Sequence, residues 1–123
     1  MPDQHCQPHI FISHTTKDDP MVRKLREILE SHGLNTWVDS RRLSGGDSLW
    51  TEVEAAIRSA RHFLVVITVK SLASSWVQRE TRLALQLAQE RQDGFKVISV
   101  VMPGVDMGLL DLLFPEDHAH TFV

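Results

Sequence analysis

The sequence has few features of a secreted or membrane protein. Its single cysteine is Cys6, so no disulfide can form within the chain, which fits a reducing compartment. No apolar run approaches the roughly 18 residues of a membrane-spanning helix. The N-terminal stretch MPDQHCQPH lacks the basic start and the apolar core of a signal peptide. We therefore expect a cytoplasmic protein.

Positive charge and metal-ligand patterns are also scarce. The formal net charge is −3, so charge gives no reason to expect binding to nucleic acid or to an anionic membrane. Two stretches, HCQPH (5–9) and HAH (118–120), contain residue types that bind metals. Neither has a second pair at ligand spacing, so we expect no metal site.

Short apolar segments alternate with helical patterns along the chain. Its 123 residues are enough for one domain with its own core but not for two. Regular alternation of strand and helix predicts an α/β protein with a parallel sheet between helices. Five strands favour a flavodoxin-like three-layer fold with the order 2-1-3-4-5. The predicted strands are residues 9–13, 34–39, 62–69, 95–102 and a last one in HTFV (120–123).

Residues typical of helix ends indicate where the helices lie between these strands. Pro20 suits a first helical turn and Gly33 a helix end, and a second helix is expected from about Ser48. Ser75, with Gln78 three positions later, predicts a capping box at the start of a third helix. A short helix is expected over MGLLDLLF (107–114).

The third helix carries a carboxylate where an apolar residue is expected. With Trp76 set at zero, Leu83 and Leu87 fall within about 20° of it, and Glu80 falls at about 40°. Glu80 therefore lies inside the stripe that faces the core. In open α/β sheets, ligands bind beyond the carboxyl ends of the strands, where the chain order switches direction. The predicted cleft is walled by residues 14–19, 39–48 and 70–75, so Glu80 can face its floor.

Three stretches then occur in an order shared with a known family. They are HIFISHTTKDD at the first strand, LNTWVDSRRLSGGDSL through the second strand and its loop, and SSWVQRE before and around Glu80. Together they resemble the Toll/interleukin-1 receptor (TIR) domain, most closely its prokaryotic NAD-cleaving branch. The resemblance extends from His9 to Val123, which leaves residues 1–8 as an N-terminal tail.

The resemblance implies roles for individual residues. The glutamate of the family's S-x-W-x-x-x-E motif is catalytic and corresponds to Glu80, with Ser74 and Trp76 at the earlier positions. Residues after F-I-S line the nucleotide site, and the loop after the second strand closes over the substrate. The substrate-binding residues implied in this way are His14, Thr15, Thr16, Asp39, Ser44, Asp47 and Trp76.

The resemblance also implies an activity and its context. The family members are NAD+ nucleosidases that release nicotinamide and either ADP-ribose or a cyclic isomer, with NAD+ as substrate and no cofactor. Implied partners are other TIR domains, through self-assembly, and a fused or associated sensor domain in bacterial antiphage defence signalling. The family usually adds a helix after the fifth strand, whereas this sequence stops at Val123. Either it is part of a longer protein, or that helix is dispensable.

One carboxylate is sufficient for this chemistry. Nicotinamide leaves as a neutral molecule from an already cationic ring, so no general acid is needed, unlike ordinary glycoside hydrolysis. A partly buried carboxylate stabilises an oxocarbenium-like ribose because its charge acts more strongly where water is excluded. The indole of Trp76 can stack on the departing pyridinium.

Other interpretations of the same residues remain open. Glu80 could pair with Arg42 or Arg79, and Trp76 could be a core aromatic. The glycines of SGGDS lack the spacing of a phosphate-binding loop and favour a flexible segment. A receiver domain needs an aspartate at the end of strand three, which VITVKS lacks, and SHTTKDD is too acidic for a flavodoxin phosphate loop. The main alternative is a non-catalytic TIR scaffold that acts by self-assembly and has no need of Glu80.

Overall fold

Strands and helices alternate along the chain as the apolar pattern predicts. The structure is a computed structural model that describes residues 9–15, 18–38, 47–105, 108 and 121–122. Its elements in chain order are β1 (Ile10–Ser13), α1 (Asp19–Ser31), β2 (Thr36–Val38), α2 (Asp47–Ser59), β3 (His62–Ile67), α3 (Val69–Leu72), α4 (Ser75–Glu90), β4 (Lys96–Val101) and β5 (Thr121–Phe122).

The strands form one parallel sheet. Strands β2, β1, β3 and β4 lie side by side in that order, and each neighbouring pair is parallel. This arrangement confirms the predicted α/β fold and the order of its first four strands. The two residues of β5 pair with Ile98 and Ser99 of β4 at the edge of the sheet. The helix predicted over residues 107–114 lies outside the described residues, except for Gly108.

Each face of the sheet packs against different helices. Ile12 of β1 packs in a cluster with Val22 of α1. The adjacent Phe11 packs on the other face, in a cluster with Val53 of α2 and Ala84 of α4. Successive side chains of a strand point to opposite faces. Alternate residues of β1 therefore pack against different helices.

The first helix has the predicted boundaries. Proline occupies its first turn, and the helix ends at Ser31. Gly33 follows with a φ of +85°, a left-handed conformation that glycine adopts without a steric cost. Helix α2 begins at Asp47, one position before the predicted start. Within the part of the chain that the structure describes, no helix has both the length and the apolar character needed to cross a membrane.

A short helix that the sequence pattern does not predict follows β3. The pattern extends this strand to Val69, but the strand ends at Ile67 and Val69 begins α3. Thr68 causes the break because its Oγ1 accepts a hydrogen bond from Ser71 N (3.1 Å) and its own N donates to Ser71 Oγ (2.8 Å). These two bonds form a capping box, which favours helix over strand at this point.

The predicted cap of α4 is wrong by one residue. Ser74, not Ser75, caps the helix, since its Oγ accepts a hydrogen bond from Val77 N at 3.2 Å. Gln78 does not complete a capping box, because its Nε2 donates to Leu72 O at 2.8 Å. The side chain of Gln78 thus ties α4 to the end of α3.

Candidate active site

Glu80 is fully buried at the carboxyl edge of the sheet. Its exposed fraction is 0%, which confirms that it faces inward from the apolar stripe of α4. Ser13 Oγ donates a hydrogen bond to Glu80 Oε1 at 2.6 Å, and Trp76 Nε1 donates to Glu80 Oε2 at 2.7 Å. Ser13 is the last residue of β1. The carboxylate therefore lies where ligands bind in this class of sheet.

The two donors suit an ionised carboxylate. An indole N–H can only donate, so Oε2 must act as the acceptor, and the serine hydroxyl is placed to donate to Oε1. Hydrogen bonds to a charged group are shorter and stronger than those between neutral groups, and they replace the water that burial removes. The bonds from Ser13 and Trp76 therefore hold the Glu80 carboxylate in a defined orientation.

A second tryptophan lies against the first. The rings of Trp50 in α2 and Trp76 in α4 meet nearly at right angles, with their centroids 5.7 Å apart and an interplanar angle of 89°. Arg79, one of the two arginines considered as partners of Glu80, instead places its guanidinium carbon 3.8 Å from the centre of the Trp50 ring. The other candidate, Arg42, lies outside the described residues.

Hydrogen bonds join the loops that follow β1 and β3. Asp18 Oδ2 accepts hydrogen bonds from Thr15 Oγ1 at 3.1 Å and from Thr68 Oγ1 at 2.9 Å. The same Thr68 oxygen accepts from Ser71 N and so caps α3. Asp18 thus ties the predicted wall of residues 14–19 to Thr68, which lies just before the predicted wall of residues 70–75.

His14 faces away from Glu80. Its side chain is 2% exposed, and its Nε2 lies 2.7 Å from Asp19 Oδ1 of α1. The pair lines a cavity of about 140 Å³ whose other lining residues are Val22, Arg23, Arg26 and Val38. Because His14 directly follows Ser13, the two side chains point to opposite faces of the sheet. The predicted role of His14 in substrate binding stays a prediction.

The structure describes only part of the remaining predicted site residues. Thr15 is buried and bonded to Asp18, as described above. Asp47 is the first residue of α2, but its side chain lies outside the described part. Thr16, Asp39 and Ser44 also lie outside the described residues. Of the predicted set, the structure therefore brings Trp76 into direct contact with Glu80.

Sequence reasoning missed two residues of this site. Ser13 belongs to the F-I-S stretch, yet only the residues after it were assigned a role. Its position two residues after Phe11 places both on the same face of β1, which is a signal that could have found it. Trp50 lies in the second predicted helix, but nothing in the local sequence shows that its ring meets Trp76.

The opposite edge of the sheet has a different character. Arg61, His62, Arg91 and Asp93 line a cavity of about 320 Å³ at the amino ends of β3 and β4. Burial lowers the pKa of His62, and the positive charges of Lys96, Arg91 and Arg61 lower it further, whereas Asp93 raises it. Hydrogen bonding from Arg91 holds the pKa of the Asp93 carboxyl below its usual range. These groups lie at the edge of the sheet opposite to that of Ser13 and Glu80.

Candidate metal ligands do not cluster in the described part of the chain. No group of three His, Cys, Asp or Glu residues there is placed to hold a metal ion.

Comparison with known proteins gives consistent matches. The sequence profile of a family described as the TIR domain matches residues 10–120. The 2' cyclic ADP-D-ribose synthase AbTIR of Acinetobacter baumannii (strain 1295743) is 31% identical over 81 residues, which cover 65% of this chain and 30% of that protein. The NAD(+) hydrolase TcpA of Theionarchaea archaeon (strain DG-70-1) is 34% identical over 104 residues, which cover 84% of this chain and 31% of that protein. The chain thus spans about three tenths of the length of these curated relatives.

A solved structure shows the same fold. The TIR domains of the activated Roq1 resistosome superpose on this chain with a TM-score of 0.66 at 23% sequence identity. The match covers 84% of this chain and 61% of that one.

Proposed function

The chain belongs to the TIR domain family, as its motifs predict, and on this basis we propose that it is an NAD+ nucleosidase with Glu80 as its catalytic residue. The reaction breaks the bond between C1' of the ribose and the nicotinamide nitrogen. The bonding electron pair stays on the nitrogen, so nicotinamide leaves neutral. Water then adds to C1' and loses a proton, which gives ADP-ribose, or an internal hydroxyl or ring nitrogen adds instead and gives a cyclic isomer.

The observation that carries this proposal is the environment of Glu80. An acidic side chain that is 0% exposed is held by two donors from different elements. Burying a carboxylate costs free energy, and a residue with only a structural role would not need its charge here. A charge held in a dry, preorganised position stabilises an oxocarbenium-like ribose more strongly than a solvated one. The Glu80 carboxylate would accept hydrogen bonds from the ribose hydroxyls.

The relatives support the substrate and both types of product. One is named as a cyclic ADP-D-ribose synthase and the other as an NAD(+) hydrolase. Since the two names differ in product, the choice between linear and cyclic product depends on which nucleophile reaches C1' first. The residues that we propose to hold the substrate are His14, Thr15, Thr16, Asp39, Ser44, Asp47 and Trp76.

We further propose that this TIR domain, residues 9–123, acts within a longer cytoplasmic protein in antiphage defence. The curated relatives are about three times as long as the matched region, which leaves room for a sensor domain. The similar fold of TIR domains in an activated resistosome supports self-association. If self-association completes the site, the rate of NAD+ cleavage per protein molecule should rise with protein concentration. A total rate strictly proportional to protein concentration over a roughly hundredfold range would contradict this. Self-association without NAD+ cleavage would support the scaffold alternative.

The decisive experiment compares wild type with Glu80→Gln. Glutamine keeps the shape of glutamate, and its amide oxygen can accept from Trp76 while its amide nitrogen donates to Ser13. The variant should stay folded and lose about 10²–10³-fold or more in rate, because it lacks the charge that stabilises the transition state. Incubation with NAD+ and chromatography of nicotinamide, ADP-ribose and cyclic products gives the measurement.

A matched control distinguishes the effect of losing the Glu80 charge from the effect of any Glu→Gln substitution in the same helix. Glu90 lies at the end of the same helix, is exposed, and accepts a hydrogen bond from Gln86 Nε2 at 2.9 Å. Glu90→Gln should cleave NAD+ at the wild-type rate. Wild-type turnover by a folded Glu80→Gln variant would refute the catalytic role of Glu80.

A further inference from the structure

One ridge of α4 carries three residues of the site in succession. Trp76, Arg79 and Glu80 occupy positions i, i+3 and i+4, which are neighbours on a helix surface. Trp50 of α2 packs across this ridge, against the Trp76 ring and beneath the Arg79 guanidinium. The ring of Trp50 thus contacts two side chains of the helix that bears Glu80.

The direction of the Trp76 indole decides whether it reaches Glu80. Trp76 is only half-buried, and its side chain turns about two bonds, so the helix backbone alone does not fix the direction of Nε1. The perpendicular contact with Trp50 is a favoured aromatic geometry that fixes the plane of one ring relative to the other. In the observed plane, Nε1 lies 2.7 Å from Glu80 Oε2.

Arg79 contacts the same Trp50 ring. A guanidinium above an indole ring is attracted by the ring's quadrupole. At 3.8 Å from the Trp50 centroid, Arg79 favours the Trp50 rotamer that contacts Trp76. Arg79 directly precedes Glu80 in the sequence, but its guanidinium contacts the Trp50 ring.

We propose that Trp50, supported by Arg79, is a positioning residue that holds the Trp76 indole N–H on the Glu80 carboxylate. This inference rests on the proposed NAD+ cleavage for its effect on catalysis, but its structural part can be measured without substrate. Loss of Trp50 frees the Trp76 ring, weakens the hydrogen bond to Oε2 and misplaces the carboxylate. Small misplacements of a catalytic group lower the turnover number by about tenfold or more.

The structural part can be tested by NMR of the indole N–H groups. The chain has three tryptophans, so a spectrum shows at most three indole N–H signals, and the signal missing in Trp76→Phe identifies Trp76. In Trp50→Leu the Trp76 indole proton should exchange with solvent about tenfold faster, because exchange follows the population of the open state. Trp50→Phe keeps an aromatic ring and should restore part of the protection. Trp37→Phe alters a ring that stacks on Phe11 and should leave the Trp76 signal protected.

Kinetics test the effect on catalysis. Trp50→Leu should lower kcat with little change in KM, and Trp50→Phe should recover part of kcat. If Trp50→Leu fails to fold, the exposed Arg79 provides the test: Arg79→Gln should lower kcat about twofold to fivefold, the value of an exposed cation–π contact. Arg82→Gln, an exposed arginine on the same helix, should match wild type.

The outcomes separate this inference from the proposed function. Unchanged exchange of the Trp76 indole proton in folded Trp50→Leu overturns the positioning role, whether or not NAD+ is cleaved. Faster exchange with unchanged kcat in an active protein also overturns it. If wild type cleaves no NAD+ at any concentration, the proposed function fails and the role in that reaction fails with it. Faster exchange would then still establish the contact between Trp50 and Trp76.

Discussion

Ser13 and Glu80 are 67 positions apart in the sequence and share a hydrogen bond of 2.6 Å between Ser13 Oγ and Glu80 Oε1. Both side chains are 0% exposed. The bond joins the last residue of β1 to the second turn of α4, on the face of the sheet that α2 and α4 cover. It couples the orientation of the carboxylate to the end of the first strand.

Ser13→Ala should weaken both the fold and the site. The substitution leaves a buried carboxylate oxygen without one donor, which costs about 1–3 kcal/mol in the free energy of unfolding. The rate of NAD+ cleavage should also fall, because Glu80 loses a bond that orients its carboxylate. Chemical denaturation and initial rates give the two measurements.

Ser99→Ala is the matched control for Ser13→Ala. Ser99 is also a buried strand serine, but its Oγ has no hydrogen-bond partner among the described residues. Its removal should leave stability unchanged or slightly increased, since no bond is lost. Equal destabilisation by the two alanine substitutions would show that the bond from Ser13 to Glu80 contributes nothing.

Trp76→Phe removes the other donor to the carboxylate. We expect a loss of about 1–3 kcal/mol in the free energy of unfolding and a lower kcat, because Oε2 loses the Trp76 donor in a buried environment. The double variant with Ser13→Ala should deviate from additivity, since both donors act on one carboxylate. A raised KM with an unchanged kcat would instead indicate that the indole stacks on the substrate and does not orient Glu80.

Arg91 should stabilise the protein without affecting the reaction. Its Nη1 donates to the carbonyl oxygens of Ala60 at 2.9 Å and Arg58 at 3.3 Å at the end of α2, and its Nη2 contacts Asp93 Oδ2 at 2.7 Å. Arg91→Met leaves these groups without a donor and should lower the free energy of unfolding by about 1–3 kcal/mol. The rate per folded molecule should stay at the wild-type value, because Arg91 lies at the amino edge of the sheet.

Arg58→Met provides the comparison for Arg91→Met. The Arg58 side chain forms an exposed ion pair with Glu54 of the same helix, at 3.0 Å. Such pairs contribute about 0–1 kcal/mol. Thermal denaturation should therefore show a clearly smaller loss for Arg58→Met, and similar losses would contradict the capping role of Arg91.

His62 should make the folded protein less stable in acid. Burial first, and then Lys96, Arg91 and Arg61, lower the pKa of His62 from its ordinary value of 6.5. The unfolded chain then binds a proton at a pH where the folded protein does not, so stability falls as the pH drops below about 6.5 and through the lowered folded value. His62→Gln should flatten the curve of melting temperature against pH in this range. Salt should weaken the part due to the neighbouring cations and leave the part due to burial. Identical curves for wild type and variant would refute this linkage.

Much of the fold follows from local patterns. The buried strand of HFLVVI and the helical spacing of Val77, Leu83, Ala84 and Leu87 are periodic signals over short distances, and the structure has both elements. The same spacing predicts that Glu80 faces inward, which is correct. The apolar run before Thr68 predicts strand and hides the capping box of Thr68 and Ser71. The predicted cap of α4 is one residue late because the consecutive serines Ser74 and Ser75 are both suitable cap residues.

The groups that contact Glu80 cannot be identified from local sequence patterns. Periodicity determined that a carboxylate on α4 is buried, and the motifs determined that the chain is a TIR domain, because both are properties of residues close together in the chain. Only the tertiary structure decided that Ser13 donates to Oε1, that Trp50 meets Trp76, and that His14 turns to the α1 face. These contacts depend on which strands pair and on how two helices cross the sheet. Burial is a property of one helix face, whereas the partner of a buried group is decided by the packing of the whole domain.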